Sequence, residues 1–161
     1  MSLISKIIKK RSLKLFLKKL YFNTKRRPNR NQKKWFTEDG DNTYRLDYSL
    51  DSNSIFFEVG GYKGYYAKKI YNKFKPKTYI FEPDLNFTKL LFKEFENRDD
   101  VTIVEKALGS KTGKFFLIEK GDSSFIGKGL ESNSDTKQIE MISFKDFVSS
   151  QNINSIDLLS M

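Results

Sequence analysis

The sequence predicts an α/β fold with a largely parallel sheet and flanking helices. Three observations carry that prediction. From about residue 44, short apolar runs that suit buried strands alternate with segments of helical spacing. The first such run, Ile55–Val59, ends at once in a glycine-rich turn, Gly60-Gly61-Tyr62-Lys63-Gly64. About twenty residues on, a second run, Tyr79-Ile80-Phe81, closes in an acid, Glu82. A glycine loop between strand and helix, paired with an acid at the tip of the next strand, suits a nucleoside ligand.

The elements follow in order. Met1 to about Tyr21 has good helix formers and neither Gly nor Pro, so it predicts a helix. Its apolar residues are spread around the cylinder among lysines. No run approaches the ~18 apolar residues of a membrane span, and the lysines break any signal-peptide core. A basic, Pro-punctuated linker follows, with Lys25-Arg26-Arg27-Pro28-Asn29-Arg30 and Lys33-Lys34. Residues 1–43 therefore form a basic N-terminal helix and linker, and residues 44–161 the α/β domain.

Ile55–Val59 reads as the first buried strand. Tyr62–Phe74 reads as a helix with Tyr65, Tyr66, Ile70, Tyr71 and Phe74 on its core side, stopped by Pro76. Thr78–Phe81 is the second strand. Asp84 is positioned to cap a helix running to about Phe95, with Leu85, Leu90, Leu91 and Phe95 as core positions. Val101–Val104 is the third strand. Phe115–Ile118, after the Gly109–Gly113 turn, reads as one arm of a hairpin. Residues 121–136, rich in Gly, Ser and Asp, predict a loop. Gln138–Ile142 is a strand, Phe144–Val148 a short helix and Ile156–Leu159 a last buried strand.

Composition narrows the chemistry. The 161 residues include no cysteine and no histidine. Disulfides and thiolate metal sites are excluded, and zinc loses its usual ligands, so no metal site is expected. Catalysis must use carboxylates, lysine, tyrosine, hydroxyls or positioning alone. The net charge of +10 is local: residues 1–35 hold 13 Lys or Arg and no acid, whereas the rest holds 17 basic and 20 acidic residues. A basic arm of this kind suits a solvated segment or an anionic membrane surface. Nucleic acid is a poorer partner, because the body has no matching basic excess.

Two kinds of ligand use a glycine loop of this type. A dinucleotide sets its pyrophosphate on the helix N-terminus and favours G-x-G-x-x-G. Here the spacing is G-G-x-x-G, and Glu58 lies two residues before it. A carboxylate there repels a pyrophosphate but suits an ammonium group. S-adenosylmethionine carries an α-amino group and a sulfonium and no phosphate. Glu58 can meet the amino end, and Glu82 can accept hydrogen bonds from the ribose hydroxyls.

With these motifs in view, the chain resembles the FkbM-type S-adenosylmethionine-dependent methyltransferases. The matching pieces are Phe57-Glu58-Val59-Gly60-Gly61-Tyr62-Lys63-Gly64, Tyr79-Ile80-Phe81-Glu82-Pro83 and Lys106-Ala107-Leu108-Gly109. Gly121-Asp122-Ser123-Ser124-Phe125 and Asn154-Ser155-Ile156-Asp157-Leu158-Leu159 follow in the right order. The resemblance implies a Rossmann-like class I methyltransferase fold, incomplete at its C-terminus. It implies a cofactor loop of Gly60, Gly61, Tyr62 and Gly64, with Glu82 at the ribose, Pro83 among the cofactor-binding residues, and Asp84 and the Lys106-Ala107-Leu108 segment beside the adenine. Ser123 and Ser124 are expected near the cofactor. Glu58 stands where the family usually has Asp.

The resemblance further implies methyl transfer to a small-molecule or glycan acceptor, most simply a sugar hydroxyl as in polysaccharide biosynthesis. The location expected is cytoplasmic, with peripheral membrane contact through residues 1–35. Family members continue well past the last strand found here, so the acceptor-binding half and the catalytic residues are expected outside this sequence. A non-catalytic module keeping the cofactor fold is the alternative. Ending the sheet at Leu158-Leu159 also predicts an apolar, unpaired edge prone to self-association.

Overall fold

The computed structural model describes residues 29–120, 123–127 and 136–161. The predicted N-terminal helix, the first part of the basic linker (residues 25–28), and much of the predicted 121–136 loop lie outside the described residues. The chain divides into two compact units between Tyr48 and Ser49.

In the first unit, helix α1 spans Arg30–Thr37, so the second half of the predicted linker is helical. The reason is a reciprocal cap. Asn29 Oδ1 accepts from the Gln32 N–H at 2.9 Å, and Gln32 Oε1 accepts from the Asn29 N–H at 3.0 Å. Two otherwise orphaned donors at the helix start are thereby satisfied. Gly40 lies flat against the Trp35 ring, where any Cβ would collide, and a short 3-10 turn follows at Tyr44–Leu46.

The second unit carries β1 (Ile55–Val59), α2 (Tyr65–Phe74), β2 (Lys77–Phe81), α3 (Leu85–Glu94) and β3 (Val101–Val104). It continues with β4 (Ala107–Gly109), β5 (Gly113–Lys120), β6 (Ser123–Gly127), β7 (Thr136–Ser143), α4 (Phe144–Ser150) and β8 (Leu158–Ser160). The α/β class and the parallel sheet are as predicted. Four strands in the order β3-β2-β1-β8 form an all-parallel sheet.

A second sheet, β4-β7-β5-β6, is new. Only Glu105 and Lys106 separate β3 from β4, too few for the crossover of a dozen or more residues that a parallel neighbour requires. The chain therefore leaves the first sheet and starts another. There β4 and β7 pair in parallel, while β5 pairs antiparallel with both β6 and β7. Ser123 and Ser124, expected in a loop, lie on β6, which falls within the first half of the predicted 121–136 loop.

The parallel sheet is covered on both faces, as its apolar strands require. On one face Phe57, Tyr79 and Phe81 pack around Phe147 of α4, with Ile55, Val59, Leu108 and Ile142 at the margin. Phe81 and Phe147 meet edge-on at 4.8 Å between ring centres, a geometry worth about 0.5–1.5 kcal/mol beyond burial. On the other face Phe56 meets Tyr66 of α2 edge-on, and Leu91 of α3 closes over Ile80 and Gly61.

Several element boundaries differ from the predicted ones. Helix α2 starts at Tyr65, because Tyr62 and Gly64 take left-handed dihedrals that no α-helix continues. Tyr65 is thus exposed rather than in the core, and Leu85 and Leu90 of α3 are exposed too. The buried positions of α3 are Thr88 and Leu91, with Phe95 just beyond its end. Strand β8 starts two residues late. The Ile55 N–H donates to Asp157 Oδ2 at 2.7 Å, so a side chain takes the place of a ladder carbonyl. Among the described residues β8 pairs with β1 alone and Leu159 is half exposed, which makes it an edge strand.

Candidate functional site

All four parallel strands end at the same edge of the sheet. The chain leaves β1 toward β2 on one side, and β8 later returns on the other. Open α/β sheets bind ligands at such a switch point, outside the carboxyl ends of the strands. The glycine loop occupies that position.

The loop's own donors are largely spent on the protein. The N–H groups of Gly60 and Gly61 both donate to the Phe81 carbonyl, at 2.8 and 3.1 Å. The Tyr62 N–H donates to Glu82 Oε2 at 2.8 Å, and the Gly64 N–H to the Gly61 carbonyl at 2.8 Å. A phosphate cradle needs such groups unsatisfied. This loop is instead sewn to the end of β2.

Each predicted loop residue has its own part. Gly60 has a φ of 83°, and a Cβ there would meet nothing within 4 Å. It is therefore both left-handed and open to the solvent side. At Gly61 the reverse holds: a Cβ would run into Ile80, so the absence of a side chain permits close packing. Gly64 caps α2 at φ 71° and faces Leu91 and Phe95. Tyr62 holds a φ of 48°, unusual for a bulky side chain. Its ring meets Phe87 at a tilt, with 4.5 Å between ring centres, and Lys63 lies 5.0 Å over the same ring.

Glu82 joins two loops. Its Oε2 accepts from Tyr62, and its Oε1 accepts from the Asp84 N–H at 2.9 Å. The residue is 6% exposed. Burial pushes its carboxyl above the ordinary range, against the pull of the two backbone donors. A carboxylate offers about four acceptor positions, so the two backbone bonds leave each oxygen able to accept once more. Asp84 caps α3 through the Asn86 N–H at 2.8 Å and accepts from Lys137 Nζ at 2.7 Å. Burial opposes its ionisation, but the Lys137 and Asn86 bonds together hold its carboxyl below the usual value.

A cleft of about 170 Å³ opens beside these groups. Val59, Gly60, Phe81, Glu82 and Pro83 form the wall from the parallel sheet, and Ala107, Leu108, Leu117 and Ile126 the wall from the second sheet. Five predicted residues therefore line one hollow: Gly60, Glu82, Pro83, Ala107 and Leu108. Gly61, Tyr62 and Gly64 shape the loop without lining it. Glu58 lies elsewhere, since strand alternation turns it to the face of Phe56 and Ile80, away from Val59 and Phe81. It is buried and not isolated, although its Oε2 accepts no hydrogen bond.

Leu117 and Ile126 were missed as site residues. Alternation along β5 does point Leu117 and Phe115 to one face, but nothing local says that this face meets the end of β2. Compared with known proteins, the chain matches no family model and no curated protein.

Proposed function

We propose that this chain is an S-adenosylmethionine-dependent methyltransferase of Rossmann-like, class I type, acting on a sugar or glycan hydroxyl. One observation carries the reading. Glu82, with acceptor capacity to spare, and Gly60, open and left-handed, line the same cleft at the switch point of a parallel sheet. A ribose supplies two hydroxyl donors, which is what a buried carboxylate lacks for full solvation. Pro83, Ala107, Leu108 and Leu117 supply apolar walls for a base.

The occupied N–H groups of the loop weigh against a pyrophosphate and so against a dinucleotide. The cleft is smaller than the roughly 300–1,000 Å³ of whole small-molecule sites, which suits the nucleoside end of the ligand. When bound, S-adenosylmethionine supplies an electrophilic methyl group. The chain's own contribution is to hold and desolvate it: Glu82 fixes the hydroxyls, and the second sheet excludes water. No catalytic base is assigned.

Calorimetry with S-adenosylhomocysteine and with NAD tests the reading. S-adenosylhomocysteine is expected to bind and NAD not to. Affinity should fall as pH drops through the raised Glu82 carboxyl, because only the ionised form accepts from both hydroxyls. NAD as the tighter ligand, or no binding of either, refutes it. Binding of S-adenosylhomocysteine without methyl transfer to any sugar acceptor favours the non-catalytic alternative.

Among the described residues no helix is long and apolar enough to cross a membrane. Contact with anionic lipid through residues 1–35, on the cytoplasmic side, is a separate proposal resting on their charge. Flotation of the chain with phosphatidylserine vesicles, lost on deleting residues 2–34, is the expected result; failure of the full chain to float ends it.

A further inference from the structure

A second hollow, of about 440 Å³, lies on the same face of the second sheet. It is lined by Ser110 and Lys111 of the β4–β5 turn, by Phe115 of β5, by Met141 of β7 and by Ile126 of β6. Ile126 lines the Glu82 cleft as well, so the two hollows meet at that side chain. We propose that this second hollow is the acceptor site, and that its ligand is a sugar ring carrying an anionic group. The assignment rests on the methyltransferase reading above.

The lining selects the ligand. Among the described residues no acid lines it and Lys111 is the one charged residue, so the ligand's complementary charge is negative. The rest is a mixed surface: one aromatic ring, a thioether, an aliphatic side chain and a hydroxyl. A pyranose matches that mixture, since its C–H face is apolar and its edge is hydroxylated. The volume falls within the range for small-molecule sites.

The site is also held in shape. Thr112, next to Lys111, accepts from the Ser143 N–H at 3.0 Å and donates to Asp146 Oδ2 at 2.7 Å, which pins the β4–β5 turn to the start of α4. Met141 lies across Gly109, where any Cβ would strike its sulfur. The floor therefore depends on a glycine at the end of β4, for a packing reason independent of the cofactor loop.

Met141 provides the reporter, being one of only three methionines, with Met1 and Met161 at the ends. With [¹³C]methyl-methionine in the full chain, methyl glucuronide and glucose 6-phosphate are titrated separately, with methyl glucoside as the neutral control. At least one anionic sugar should shift the Met141 methyl signal, at concentrations where the glucoside does not. In Lys111→Ala its affinity should drop about tenfold, while S-adenosylhomocysteine affinity stays within twofold. Equal response to the glucoside, no response to either anion, or indifference to Lys111→Ala overturns the assignment. The S-adenosylhomocysteine titration in the same samples separates the two readings: if it binds and the sugars fail, only the acceptor site falls.

Discussion

Replacing Glu82 by alanine tests the argument at its centre. The side chain takes two backbone donors, Tyr62 at 2.8 Å and Asp84 at 2.9 Å. Leaving a buried donor unsatisfied costs about 1–3 kcal/mol. The Asp84 N–H belongs to a 5% exposed residue and loses its partner outright, whereas Tyr62 is 49% exposed and water can replace part of what is lost there. The ionised carboxylate meanwhile carries a desolvation cost that the mutation removes. The net expectation is a loss of about 1–3 kcal/mol in urea unfolding at pH 7, followed by circular dichroism. Glu82→Gln keeps one acceptor and should lose about half as much. The pH dependence fixes the sign. A carboxyl raised in the folded state contributes most stability below its unfolded value, and that contribution is lost as pH rises through the folded value. The stability of the wild type relative to Glu82→Gln should therefore decline as pH rises from 4.5 through the raised carboxyl. Wild-type stability in Glu82→Ala, or a difference growing with pH, would show that the carboxylate does not join the loops as described.

Three other substitutions separate packing from site geometry. Gly61→Ala forces a Cβ into Ile80 and should lose about 1–3 kcal/mol by denaturant melt; Gly60→Ala meets only its dihedral penalty of about 1–2 kcal/mol, so equal, negligible effects would contradict both roles. Phe147→Ala opens the cluster around Phe57, Tyr79 and Phe81 and should lose about 3–5 kcal/mol; a loss under ~1 kcal/mol would mean that α4 does not seal that face. Lys137→Met removes the partner that lowers Asp84. Stability from a depressed carboxyl is present above its unfolded value and lost as pH falls through the folded one. The variant should unfold at higher pH in an acid titration, and an unmoved midpoint would remove that ion pair from the account.

Local chemistry in the chain was enough for the front of the domain. The apolar runs at Ile55–Val59 and Thr78–Phe81, the cap at Asp84 and the stop at Pro76 are short-range signals, and each element formed within a residue or so of its predicted end. The loop was legible for the same reason, since Gly60 and Gly64 answer to their own dihedrals. Which side of a helix is buried was less so. Leu85 and Leu90 are as apolar as Leu91, yet only Leu91 finds Gly61 and Ile80 beneath it.

What the residues alone determined is the alternation of strand and helix, the left-handed glycine turn and the acid closing the second strand, because these depend on neighbours a few positions apart. What only the tertiary structure decided is where the second half of the chain goes. The two-residue step between β3 and β4 diverts it into a separate sheet, and that sheet brings Ala107, Leu108, Leu117 and Ile126 against Glu82. The same strand alternation turns Glu58 to the opposite face from the cleft. A wall built from residues 25 to 44 positions beyond Glu82 has no local signal, since its only cause is which apolar face was left for it to cover.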